Sequence, residues 1–183
     1  MRGVTSGNRP NEIRTERLRM RRVVPGDVTA FHAIMSDPET MRFWSTPAHS
    51  DLAETRSWFA SMLAADKAQE SDEFVIEHDD VAIGKMGAWR FPEIGFFLRR
   101  DCWGRGYATE VLQAYTSYVE GRGLERLTAD VDPRNGPCLR LLTKCAFVET
   151  DRAEATYVVN GRPCDSVYLQ LDLQAHLPAG KMR

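Results

Sequence analysis

The 183-residue sequence has no long apolar run, no marked excess of either charge and few cysteines. Nowhere does it approach the roughly 18 consecutive apolar residues of a membrane-spanning helix. Its 24 Lys and Arg stand against 26 Asp and Glu, a formal charge of −2, so it lacks the strongly basic surface that duplex nucleic acid selects. The four cysteines, Cys102, Cys138, Cys145 and Cys164, form no CxxC pair. That speaks against a zinc centre and for free thiols in a reducing, cytoplasmic compartment. His32, His49, His78 and His176 are scattered, with no plausible metal partner beside any of them, which favours surface or capping roles. Residues 1–14 carry no apolar signal-peptide segment and read as a disordered leader. No repeat, low-complexity tract or Gly/Ser linker divides the rest of the chain. Residues 15–174 therefore read as one domain, with 175–183 as a C-terminal tail.

Hydrophobic residues make up 43% and charged residues 27%, enough apolar surface for one packed core. Leu18 to Val23 alternates apolar with basic residues and predicts a half-buried strand ending at Pro25-Gly26-Asp27. Asp27 is placed to cap a helix whose apolar face is Val28, Phe31, Ile34 and Met35, and a second helix starts near Ser50 or Asp51. Phe74 to Ile76, Val81 to Trp89 and Ile94 to Leu98 read as three strands, the last buried on both faces. Ala108, Val111, Leu112, Tyr115 and Val119 mark a long helix stopped by Gly121 and Gly123. A strand over Leu127 to Val131 leads to a helix capped by Asn135. The chain then closes in a hairpin around Asn160-Gly161. The order predicts an α/β (α+β) fold, a mixed sheet with helices against it.

Chemistry concentrates where the buried strand Ile94 to Leu98 runs through a short loop into the long helix. The loop reads Trp103-Gly104-Arg105-Gly106-Tyr107-Ala108-Thr109. A helix N-terminus leaves backbone N–H groups unpaired at the positive end of its dipole. Glycines let phosphate oxygens approach that backbone, and Arg105 adds charge. The segment is either a pyrophosphate cradle or merely a tight turn. It lacks the Lys-Ser/Thr of a Walker loop, and Thr109 stands where a Rossmann fingerprint ends in Gly or Ala.

The run Trp103 to Glu110 resembles the acetyl-CoA-binding motif of the GNAT N-acetyltransferases, Gln/Arg-x-x-Gly-x-Gly/Ala, and within them the RimJ/RimL-like branch. Gly106 and Ala108 match the last two fixed positions, and Trp103 departs from the first. Thr15-Glu16-Arg17-Leu18, Arg42-Phe43-Trp44 and the Asn135-x-x-Cys138 helix start extend the resemblance over nearly the whole chain. It implies a mostly antiparallel mixed sheet in which Ile94–Leu98 splays from its parallel neighbour Leu127–Val131. It implies acetyl-CoA as co-substrate and no metal. Main-chain groups of Phe96, Phe97 and Leu98 would then pair with the pantetheine arm, with an N–H near Phe97 polarising the thioester. Trp103 to Thr109 would hold the pyrophosphate, and Asn135 would lie beside the cofactor or simply cap its helix.

Acetyl transfer to an amine needs a base for the ammonium and, for some enzymes, an acid for the departing thiolate. Many relatives place a serine where this chain has Cys138, so Cys138 is either a thiol acid or a small apolar helix residue. The hairpin glutamate of RimL-like enzymes aligns with Thr156, which leaves Glu93, at the mouth of the central strand, as the first choice of base and Glu154 behind it. Phe43, Trp44 and Trp58 are candidates for lining the acceptor pocket, and Trp89 for the core or that wall. The implied activity is direct acetylation of a primary amine on a small molecule or peptide, with neither nucleic acid nor membrane as partner. A non-catalytic acetyl-CoA-binding module and a nucleotide-binding protein using the same loop are the rivals. Val167, Leu169, Leu171 and Leu173 form one apolar face, which either supports a homodimer or covers the helices of a monomer.

Overall fold

The computed structural model describes residues 9–173. They form β1 (Glu12–Arg14), β2 (Arg19–Arg21), α1 (Val28–Met35), α2 (Leu52–Ala68), β3 (Asp72–His78), β4 (Val81–Arg90), β5 (Glu93–Leu98), α3 (Tyr107–Gly121), β6 (Arg126–Val131), α4 (Gly136–Lys144), β7 (Val148–Val159) and β8 (Arg162–Asp172). The strands make one sheet in the order β1-β2-β3-β4-β5-β6-β8-β7. Every pairing is antiparallel except β5 with β6, the pair whose connection carries α3 as a crossover helix. The mixed, mostly antiparallel sheet expected from the sequence is present.

Each face of the sheet has its own core. On one, Val111, Leu112, Tyr115 and Val119 of α3 and Leu142 of α4 cover Phe74, Met86, Ile94, Leu98, Leu127 and Val167. On the other, Phe31, Ile34 and Met35 of α1 and Phe59 and Met62 of α2 cover Val75 and Phe97. In each of α1, α2 and α3 the buried residues recur mainly three or four apart, as a single apolar stripe requires. Tyr115 pins α3 to the sheet: its hydroxyl donates to the Asp72 carbonyl at 3.0 Å and accepts from the Ala88 N–H at 2.9 Å. Asp51 caps α2 as expected, accepting from the Glu54 N–H at 2.9 Å. Asp27 does not cap α1 with its side chain; that carboxylate holds Arg21 and the Val24 N–H instead.

Several expectations are corrected. The leader does not extend to residue 14, because Glu12–Arg14 pair with Arg19–Arg21 and Arg9 donates to the Ser71 carbonyl at 2.7 Å. Residues 1–8, the domain end at 174 and the tail 175–183 lie outside the described residues, as does His176. Trp89 belongs to no core, since it is 46% exposed. His49 is not a surface residue: it is buried and shares the Thr55 hydroxyl with His32. The apolar face of β8 is spent on the chain's own core, with Val167, Leu169 and Leu173 buried there and Leu171 packed against them, so that face is not open to a second copy. The four cysteines are free. Among the described residues no helix is long and apolar enough to cross a membrane, and no group of three or more side chains could hold a metal ion.

Candidate active site

β5 and β6 share a single register pair, Glu93 with Thr128, beside the Thr128 N–H that donates to the Pro92 carbonyl at 2.9 Å. Beyond that point the two strands part. Strand alternation decides what faces the gap. The Pro92 carbonyl points toward β6, whereas the Arg99 N–H donates to the Ile83 carbonyl on β4 at 2.7 Å. A two-residue repeat between these ends turns the main chain of Ile94, Phe96 and Leu98 into the gap and that of Gly95 and Phe97 toward β4. Gly84 of β4 agrees, for a methyl added there would run into the Phe97 carbonyl. The main chain of Phe97 therefore faces β4, and the N–H beside it that faces the gap is that of Phe96. The Leu98 carbonyl also has a partner, the Trp103 indole N–H at 2.7 Å.

The loop after β5 has the form a phosphate cradle needs. Trp103, Gly104, Arg105 and Gly106 are all exposed. Gly104 and Gly106 sit at φ +72° and +80°, left-handed conformations that glycine adopts without Cβ strain. Gly106 is the N-cap of α3 and no side chain caps the helix. The N–H groups of Tyr107, Ala108 and Thr109 therefore have no acceptor within the helix, and the first helical bond comes from Glu110 N–H to the Gly106 carbonyl at 3.1 Å. Arg99 and Arg100 are engaged by Asp101 and Asp37, whereas the Arg105 guanidinium has no ion pair among the described residues. Behind the loop, Thr15 and Arg17 grip Glu110, a contact that residue type alone does not signal.

Asn135 caps α4, its side-chain oxygen accepting from the Cys138 N–H at 3.2 Å. Cys138 packs against the α3-side core, and burial pushes its thiol up to about 12. Glu93 lies on the opposite face, in phase with Gly95 and with Phe97, whose ring is in the α1/α2 core. Glu93 and Cys138 thus lie on opposite faces of the sheet. Trp44 covers Gly95, with its ring edge 3.8 Å from where a Cβ would stand, and meets the Phe97 ring at 5.3 Å. Trp58 lies deeper, stacked on Phe31, while Phe43 is half-buried beside Arg42.

Two charged pairs near the gap escaped sequence reasoning. Lys85 is buried in an ion pair with Glu73, its ammonium 5.6 Å and 5.5 Å from the Trp44 and Trp58 rings. Their signal was available: single charges inside or abutting apolar strand runs call for a buried partner. At the end of β6, Asp132 is 3% exposed and accepts from the Arg134 N–H at 2.8 Å. The Arg134 guanidinium holds its carboxyl below the usual range. The Tyr157 hydroxyl approaches the same carboxylate at 3.5 Å, and burial together with Asp132 pushes that phenol up. Thr156 hydrogen-bonds Ser166 at 2.7 Å and Glu154 is exposed, so the hairpin offers no buried carboxylate of its own.

Comparison with known proteins agrees with this geometry. Residues 17–148 match the family model of the acetyltransferase (GNAT) domain. An uncharacterised N-acetyltransferase, p20 of Bacillus licheniformis, is 28% identical over 142 residues, covering 73% of this chain and 80% of its own. Among solved structures, the RimL ribosomal L7/L12 α-N-protein acetyltransferase in complex with coenzyme A superposes with a TM-score of 0.79 at 18% identity, over 90% of this chain and 99% of its own. The spermidine N-acetyltransferase of Vibrio cholerae, in complex with CoA and spermine, gives 0.73 at 18% identity, over 86% and 96%.

Proposed function

The chain belongs to the GNAT acetyltransferase family, and on that footing we propose that it transfers the acetyl group of acetyl-CoA directly to a primary amine. The observation that carries this reading is the gap between β5 and β6, which opens toward a glycine loop lined with uncommitted N–H groups. The residues present suit the co-substrate. Gly104 to Thr109 would receive the pyrophosphate, with Arg105 as added charge, and the main chain of Phe96 and Leu98 would receive the pantetheine amides. Asn135, the N-cap of α4, would lie beside the cofactor.

The Phe96 N–H is the donor available to a thioester oxygen there. A fixed donor aimed at developing negative charge contributes about 2.7–4 kcal/mol to lowering a barrier. Glu93, ion-paired to no described residue, accepts the proton of the incoming ammonium from the Trp44 side. Trp44, with Phe43 and Trp58 behind it, lines the acceptor approach. The acceptor is a primary amine of a small molecule or of a peptide, the classes named for the RimL and spermidine enzymes. The four free thiols support a reducing, cytoplasmic compartment.

The test is release of CoA, followed with a thiol reagent, on mixing the protein with acetyl-CoA and a panel of amines that includes spermidine, aminoglycosides and N-terminal peptides. Turnover with any of them supports the transferase. Calorimetric binding of acetyl-CoA without turnover on the whole panel would leave a binding module, and binding of ATP or NAD in preference to CoA would refute both.

A further inference from the structure

We propose that Arg17 is a positioning residue for the phosphate loop: it draws the Glu110 carboxylate away from the first turn of α3 and so clears that turn for a diphosphate. The inference rests on reading Gly104 to Thr109 as the acetyl-CoA cradle. Glu110 sits in the first turn of α3. A carboxylate there is attracted to the same N–H groups and dipole that would bind a phosphate, and it repels that phosphate.

The structure shows the carboxylate held elsewhere. One oxygen accepts from the Thr15 hydroxyl at 2.5 Å and from the Arg17 N–H at 2.9 Å. The other accepts from the Arg17 Nε at 2.8 Å and pairs with its second guanidinium nitrogen at 2.7 Å. Burial alone would push Glu110 up, but Thr15 and Arg17 hold its carboxyl below the usual range. A full negative charge therefore stands in the turn at neutral pH, and Arg17 is what offsets it. The same guanidinium donates to the Arg105 carbonyl at 2.9 Å and lies 4.7 Å over the Tyr107 ring, which fixes the loop on both sides of Gly106. With Arg17 the loop carries two cations against one anion; without it the charges cancel. The Arg17 side chain is 42% exposed, so its loss removes little packing.

The experiment is calorimetric titration of the full-length protein with CoA, for wild type, Arg17→Met, Glu110→Gln, the double variant and Arg17→Lys. Arg17→Met should weaken CoA binding by about tenfold, and the loss should shrink as salt screens the carboxylate that Arg17 no longer offsets. Glu110→Gln should bind CoA as tightly as wild type or tighter. The double variant should return to within about threefold of wild type, because the charge that Arg17 offsets is gone, and Arg17→Lys should do the same. A double variant as weak as Arg17→Met, or an Arg17→Met protein that binds normally, would overturn the proposal. So would an Arg17→Lys protein as weak as the Met variant, or a loss that is insensitive to salt. Failure of the wild type to bind CoA would refute the acetyl-CoA reading itself.

Discussion

Replacing Cys138 with Ala should leave acetyl transfer intact, although Cys138 stands in the first turn of α4, three residues after the Asn135 cap. Its thiol packs against the α3-side core, and burial raises it from the ordinary 9.0 to about 12. A departing CoA thiolate has the basicity of an ordinary thiol, about 8.5. Passing a proton from Cys138 to that thiolate is uphill by about 3.5 pK units, or roughly 5 kcal/mol at 1.36 kcal/mol per unit. An acid so weak does not drive protonation of the leaving group, whose own basicity already favours the thiol form at neutral pH. Steady-state kcat for Cys138→Ala should therefore stay within about twofold of wild type for any amine that the wild type acetylates. The raised thiol has its own signature in stability. Folding favours the neutral form, so this contribution is complete below pH 9 and is lost as pH rises from about 9 to about 12. Melting curves across that range should fall less steeply for Cys138→Ala. A drop in kcat beyond tenfold at unchanged acetyl-CoA affinity, with activity restored by Cys138→Ser, would refute the reasoning and return the thiol to catalysis.

Glu93→Gln should lower turnover by about 10²- to 10⁴-fold while leaving acetyl-CoA affinity unchanged, and the acidic limb of the pH–rate profile should flatten; a wild-type rate would remove Glu93 as the base. Gly106→Val places a branched side chain at φ +80° over the cradle and should abolish measurable CoA binding in a protein whose circular dichroism is unchanged, whereas Arg105→Ala should cost a few-fold at low salt and nothing at high salt. Glu73→Ala strands the Lys85 ammonium in the α1/α2 core and should cost about 3–5 kcal/mol in chemical denaturation, most of it recovered when Lys85→Met is added; a loss unchanged by the second substitution would show that the pair is not the cause.

Elements with periodic apolar faces are legible in the sequence, and those built by main-chain pairing are not. The stripe Val111, Leu112, Tyr115, Val119 and the Asn135 cap locate α3 and α4 because burial and capping leave residue-level marks. The sequence marks β7 only at Tyr157 to Val159, yet the strand begins at Val148. Its first nine residues, Val148 to Thr156, are largely polar or charged, and they pair with β8 through two register shifts and an Ala155 at φ +51°. An edge strand needs no apolar alternation, because one side faces water. β1 is shorter still and is defined by its pairing with β2.

The same division runs through the site. The proposed cofactor loop leaves a compact signature, since glycines take the two left-handed turns without Cβ strain and leave room for a close approach, and both stand within four residues of Trp103. The acceptor side has no such signature: Trp44, Glu73 and Lys85 come from separate parts of the chain and meet because β3 and β4 are adjacent and in register, while Glu93 stands at the start of β5. Even within the cofactor strand, one step of phase decides which amide is free, and phase is set by the Arg99 bond to Ile83 and the Thr128 bond to Pro92. Neither bond is written in residue type, so Phe96 and Phe97 are indistinguishable until both ends of β5 are fixed. The proposed catalytic geometry thus depends on the register of β5, and a substitution that slips the strand by one residue would turn the Phe96 N–H off the gap and carry Glu93 and Phe97 to the opposite face of the sheet.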